Sequence, residues 1–250
     1  MKHTILFAAT LLMAGSLIAA DAPAAADSSA KDAVTAAAKA LAGKDNYSWT
    51  TTVVVPAGGR FRPGPTTGQT EKGGYTHVSS SFGDNTTEMV LKGDKAVVST
   101  SDNGWQTPAE LDSAEGMGRF LGAMARDFKA PATLASDLVA GTSEIKKDGD
   151  AYSSDLTEVE VKTLLTFRAG NTAPTVSDAK GTAKFWITDG TLSKYETHVT
   201  GKVSFNGTDR DVDRTSTTEI SAVNTTKVVV PDEAQKKMNP PAAAPEAKKP

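Results

Sequence analysis

The sequence predicts an α+β fold built on one large antiparallel sheet. Two observations carry that expectation. Several stretches alternate apolar and polar residues with period two, and short Asp-Gly or Asn-Gly turns join them, so strands adjacent in sequence pair with each other. The helical stretches come in two clusters away from those hairpins, an arrangement of strands and helices that belongs to the α+β class.

The 250 residues begin with MKHTILFAATLLMAGSLIAADAPAAAD. Lys2 and His3 make a short basic start, and Thr4 to Ala20 is apolar or small throughout. That is the layout of a secretory signal peptide over residues 1–20, with cleavage near Ala20 or at Ala26; the alternative is an uncleaved membrane anchor. No second apolar run follows, so the cleaved chain is not expected to be an integral membrane protein. Residues 21–29 read as an Ala/Pro tether. The chain has no cysteine, so neither disulfides nor a lipid anchor are expected. A single domain is expected over residues 30–234, followed by a disordered Pro/Ala/Lys tail over 235–250. The location expected is the bacterial envelope, periplasmic or secreted.

Within the domain, Ala30 to Ala42 is a helix, with Val34, Ala37, Ala38 and Leu41 on one stripe and Gly43 as its stop. NYSWTTTVVV follows as a strand with Tyr47, Trp49, Thr51, Val53 and Val55 on one face. Pro56 to Gly74, rich in Pro and Gly, reads as a long loop. YTHVSSSF, TTEMVLKG and KAVVSTS then form a meander, with Trp105 where a further partner strand starts. After Pro108 comes a helical region with Met117, Phe120, Leu121, Met124 and Phe128 on one stripe and Gly118 and Gly122 inside it. PATLASDLVAG is a further short helix, SEIKKDGDAYSSDL a hairpin, and TEVEVKTLLTF a helix capped by Thr157 with Glu160 three residues on. The remaining strands turn at Asp189-Gly190 and Asn206-Gly207, and TKVVVPDEA ends the domain. The expected total is about ten strands and three or four helices.

Catalytic and metal-binding patterns are sparse. Beyond His3 the histidines are His77 and His198, each in a predicted strand with no third ligand at useful spacing. Ser79 to Ser81 lacks a nucleophile-elbow context. Asp209 to Arg214 alternates charges without the Gly and Glu of a calcium loop, and reads as a solvated strand end. With 27 Lys and Arg against 30 Asp and Glu and no basic block, nucleic acid is not an expected partner. The chain is read as a non-enzyme without a cofactor.

What remains is an apolar inventory. Phe185 and Trp186 are adjacent in one strand and must point to opposite faces. Phe185 shares its face with Ala183 and Ile187, and Trp186 lies with Lys184 and Thr188. Phe185 is therefore expected inside and Trp186 outside. Met side chains on the Met117–Met124 stripe suit either a core or an adaptable cleft.

The element order, together with the hairpin AKFWITDGTLSKYETHVTG and the closing VVVPDEA, resembles the lipoprotein-carrier superfamily of LolA, LolB and the mycobacterial LppX-type proteins. The resemblance implies a curved sheet, an incomplete barrel, whose concave face is covered by helices around an apolar cavity that takes acyl chains. On that reading Trp49, Val53, Met117, Phe120, Leu121, Met124, Phe185 and Ile187 would line a ligand site. Trp186, Arg60 and Phe61 would meet an envelope protein partner. Two functions stay open: a carrier of a lipid, a lipoprotein acyl chain or another apolar ligand, and an envelope interaction or sensor module of the same fold with a filled core.

Overall fold

The computed structural model describes residues 24–56, 63–83, 85–100, 102–114, 116–166, 174–205 and 207–239. The chain enters through α1 (Ala24–Ala42), which starts ahead of the Ala30 expected from the apolar stripe. Val34, Ala37, Ala38 and Leu41 are buried, so the helix seats its small-residue face on the sheet. Strand β1 (Asn46–Val54) follows, with Tyr47 and Trp49 buried and Thr50, Thr52 and Val54 exposed.

The segment from Pro56 to Gly74 is not the continuous loop that its Pro and Gly content suggests. It contains β2 (Thr66–Glu71), paired with β1. Thr66, Thr67 and Thr70 supply β-branched stiffness, and Gly68 stands opposite Trp49. The meander continues with β3 (Thr76–Phe82), β4 (Asn85–Lys92), β5 (Lys95–Thr100) and the short β6 (Asn103–Gln106).

The helical region after Pro108 is two helices. α2 (Pro108–Asp112) starts on a capping box, in which Thr107 and Glu110 satisfy each other's backbone N–H groups. The chain then turns at Gly116, at φ 62°, into α3 (Met117–Arg126). α4 (Pro131–Ala140) leads to the hairpin β7 (Lys146–Asp148) and β8 (Ala151–Asp155). α5 (Glu158–Leu165) is capped by Thr157 as its sequence predicts. The long strands β9 (Thr175–Thr188), β10 (Thr191–Phe205) and β11 (Thr208–Ser221) complete the sheet, and α6 (Asp232–Met238) closes the described chain, past the boundary expected at Ala234.

Among the described residues the eleven strands form one antiparallel sheet in the order β6-β5-β4-β3-β2-β1-β11-β10-β9-β8-β7. It is open, because β6 and β7 are its two edges. Two hairpin runs meet at the β1–β11 seam, where Ser48 opposes Ser221 and Val54 opposes Thr215. The inner face carries the main core: α1, α3, α4 and α5 contribute Leu41, Leu121, Leu138 and Val161, and the sheet contributes Trp49, Phe185, Tyr195 and Val199. A second, smaller core lies on the outer face, where Ala234 and Met238 of α6 cover Val90 and Val97. Lys237 of α6 reaches Glu110 of α2 at 2.6 Å.

Candidate functional site

The inner face of the sheet changes character along the strands. Register places Trp49, Gly68, Val78, Met89 and Val98 in one row across β1 to β5. All five are buried. One rung further along β1, the row is Thr51, Thr66, Ser80, Thr87 and Thr100, all half-buried. The hydroxyls pair across strands: Thr66 with Ser80 at 2.9 Å, and Thr51 with Thr218 of β11 at 2.8 Å. Paired this way they satisfy much of one another's hydrogen-bonding capacity, and Thr also brings a methyl, so the row is an amphipathic surface.

Two buried tyrosines hold the upper end. The Ala132 N–H of α4 donates to the Tyr47 hydroxyl at 3.4 Å, tying the start of α4 to the sheet. Tyr195 hydrogen-bonds Thr218, but burial outweighs that bond and pushes its phenol up to about 12. Trp49 packs beside Tyr47, with ring centroids 5.9 Å apart, and stacks on Phe128 at 6.4 Å.

Beyond the hydroxyl row the inner face holds Val53 and Ser216, which oppose each other across the seam, and then Val212 and Arg214 of β11, all half-buried. The Arg214 Nη2 donates to the Leu164 carbonyl of α5 at 2.7 Å. Its Nε is buried and has no hydrogen-bond partner among the described residues, and burial holds the guanidinium below its ordinary pKa. α5 reaches this position because Gly181 and Gly201 leave room for it. A Cβ on either would lie within 3 Å of Val161 or Leu165.

The structure brings together Trp49, Leu121 and Phe185 in the main core, with Met124 and Ile187 partly buried against it. It separates Met117 and Phe120 from them. Those two are 68 % and 36 % exposed. The stripe expected over Met117, Phe120, Leu121 and Met124 is therefore buried only in part: Leu121 and Met124 enter the core, while Met117, the first residue of α3, and Phe120 stay exposed. Val53 stands apart, at the far end of the inner face. Phe185 points into the core and Trp186 to the outer face, where the Lys194 ammonium lies 4.5 Å from its ring centroid. Arg60 and Phe61 lie outside the described residues.

Sequence reasoning passed over Arg214, which it left in a solvated charged strand end. Asp209, Asp211 and Asp213 are indeed exposed, but Arg214 turns inward. The signal was its parity with Val212 and Ile220 along the strand. His77 and His198 sit apart on the outer face: His198 contacts Asp213 at 2.9 Å, and His77 lies 3.4 Å from Glu88. Among the described residues no group of three His, Cys, Asp or Glu is placed to hold a metal ion, and no helix is long and apolar enough to cross a membrane.

No family model matches the chain, and no curated protein matches it. Solved structures do. The lipoprotein LppX of Mycobacterium tuberculosis is similar at 10% identity and a TM-score of 0.46, over 82% of this chain and 100% of that one. LprF of Mycobacterium bovis is similar at 10% identity and a TM-score of 0.42, over 83% of this chain and 98% of that one.

Proposed function

We propose that this protein is an exported, non-enzymatic carrier that holds an acyl chain or another apolar ligand between the sheet and α3, by reversible burial and without covalent chemistry. The observation that supports this reading is the division of α3. Leu121 and Met124 pack into the main core, while Met117 and Phe120 of the same stripe stay exposed. Large apolar side chains left exposed on the same stripe as buried ones suit a cover that can exchange its own contacts for those of a ligand. Gly118 and Gly122 lie within that helix, and Gly122 sits against Leu111 of α2. Small residues at this contact let α3 pack closely on α2, where Arg126 also pairs with Asp112 and donates to the Pro108 carbonyl. The hydroxyl row beyond Trp49 would meet the more polar end of the ligand.

The test is native mass spectrometry of the protein purified from its own envelope, before and after organic extraction. A bound species of lipid mass, lost on extraction, is expected. The double substitution of Leu121 and Met124 by Asp should abolish that species. If the fold and lipid co-purification both survive it, the site assignment is wrong.

A second reading has its own observation. Around Phe185 the inner face is already filled by the protein's own side chains. On that reading the fold is an interaction module, and Trp186, with Lys194 over its ring, meets an envelope protein. Loss of a partner on Trp186→Ala, with lipid content unchanged, would favour it.

A further inference from the structure

Arg214 is the feature of the inner face that packing alone does not account for. A guanidinium has five N–H donors. Among the described residues the Leu164 carbonyl takes one of them, and the buried Nε has no partner. No ion pair to Arg214 occurs among the described residues. Along β1, β10 and β11 the residues that share its face include no Asp or Glu: on β11 itself they are Arg210, Val212, Ser216, Thr218 and Ile220.

Arg is almost never removed from water unless it is paired, because a partly desolvated charge without a counter-ion is costly. The planar fork of N–H groups matches one chemistry above others, the two oxygens of a carboxylate or phosphate. The neighbours agree with that role. Ser216 adds a hydroxyl on the same face, and Val53 and Val212 supply apolar contact beside it.

We propose that Arg214 is an anion-recognition residue, and that the ligand of the inner face is an amphiphile whose oxyanion head, a carboxylate or a phosphate, pairs with this guanidinium while its chain runs toward Trp49. This rests on the carrier reading above and narrows it from apolar ligands in general to acidic ones. An oxyanion there would accept hydrogen bonds from the donors that Leu164 does not use.

The test is titration calorimetry of the full protein, stripped of lipid, with three single-chain probes of equal chain length: palmitate, palmitoyl lysophosphatidate and monopalmitoylglycerol. The wild type should bind at least one acid roughly tenfold or more tightly than the neutral glyceride, the effect of a charge-assisted pair. Whichever acid shows the larger preference identifies the head. Arg214→Gln should remove that preference while leaving glyceride affinity within about twofold, and Arg214→Lys should restore part of it. Should Arg214→Gln fail to fold by circular dichroism, the wild-type preference and Arg214→Lys decide. Equal wild-type binding of acid and glyceride overturns this inference and leaves the carrier reading standing. So does a preference that survives Arg214→Gln. Binding of none of the three overturns both.

Discussion

Replacing Gly68 with Ala measures how tightly Trp49 is held. A Cβ at Gly68 would lie 2.0 Å from Cζ2, 2.3 Å from Cε2 and 2.4 Å from Cη2 of the indole. Those atoms belong to a rigid ring that is 4 % exposed and stacked on Phe128. No flexible tip can rotate away. If the ring slides against Phe128, the cost is that of overpacking, about 1–3 kcal/mol. If it leaves the core, the cost approaches the ~3–5 kcal/mol of deleting a buried Trp. Gly68→Ala should therefore destabilise the fold by about 2–4 kcal/mol, bracketed by these two outcomes. The same substitution made in Trp49→Ala should be neutral or slightly stabilising, because Ala is about 0.5–1 kcal/mol better than Gly inside a strand once the clash is gone. The two sites should thus couple by ~2–4 kcal/mol in a double-mutant cycle. Urea unfolding followed by far-ultraviolet circular dichroism gives all four stabilities. Additive effects, or a Gly68→Ala cost below about 0.5 kcal/mol, would refute the claim that β2 is threaded past Trp49 through this glycine.

Phe185 and Trp186 differ by one position and should differ greatly in cost. Phe185→Ala, at a fully buried site, should lose about 3–5 kcal/mol, and Trp186→Ala, on the outer face, less than half of that by the same urea assay. Tyr195 should make the protein sensitive to alkali. Its phenol rises from 10.0 to about 12, so the unfolded chain ionises first and stability falls as pH climbs through that window, by roughly 2–3 kcal/mol in all; Tyr195→Phe should flatten the fall measured by unfolding at pH 9 to 12. Glu110 works in the opposite direction. The hydrogen bond from Lys237, joined by those from Thr107, lowers its carboxyl from 4.5 to about 2. The contribution is therefore complete above pH 4.5 and lost as pH falls toward about 2. Thermal melts across that range should show a shallower acid dependence for Lys237→Met.

The parts of the fold that were legible in the sequence are those governed by local periodicity. Tyr47, Trp49, Thr51 and Val53 alternate in β1 as written, Asp189-Gly190 turns with both residues at positive φ, and Thr157 caps α5. The elements that escaped are set by partners far away in the chain. β2 hides in a Pro/Gly-rich stretch because its stability comes from β1 and β3 on either side of it. α6 is short and polar, and its two buried residues, Ala234 and Met238, matter only once Val90 and Val97 are known to face outward together. The candidate site divides likewise. Phe185 and Trp49 follow from strand parity, whereas the inward turn of Arg214 is masked by the three exposed aspartates around it. The exposure of Met117 goes with its place as the first residue of α3, after the turn at Gly116, which periodicity alone does not show.

The β1–β11 seam has a consequence for how the protein is made. Each side of it can be built from neighbours in sequence, hairpin by hairpin. The seam cannot, since it joins Ser48 to Ser221 and Thr51 to Thr218. Closing a loop of that length is slow in entropy terms, and contacts of high sequence separation govern the rate at which such chains fold. Until β11 arrives, the free edge of β1 presents unpaired N–H and C=O groups and the exposed flank of Trp49, a surface open to pairing with the wrong strand. A chain that emerges N-terminus first spends most of its synthesis in that half-sheet state. The step that commits it to the native form is the arrival of its last strand.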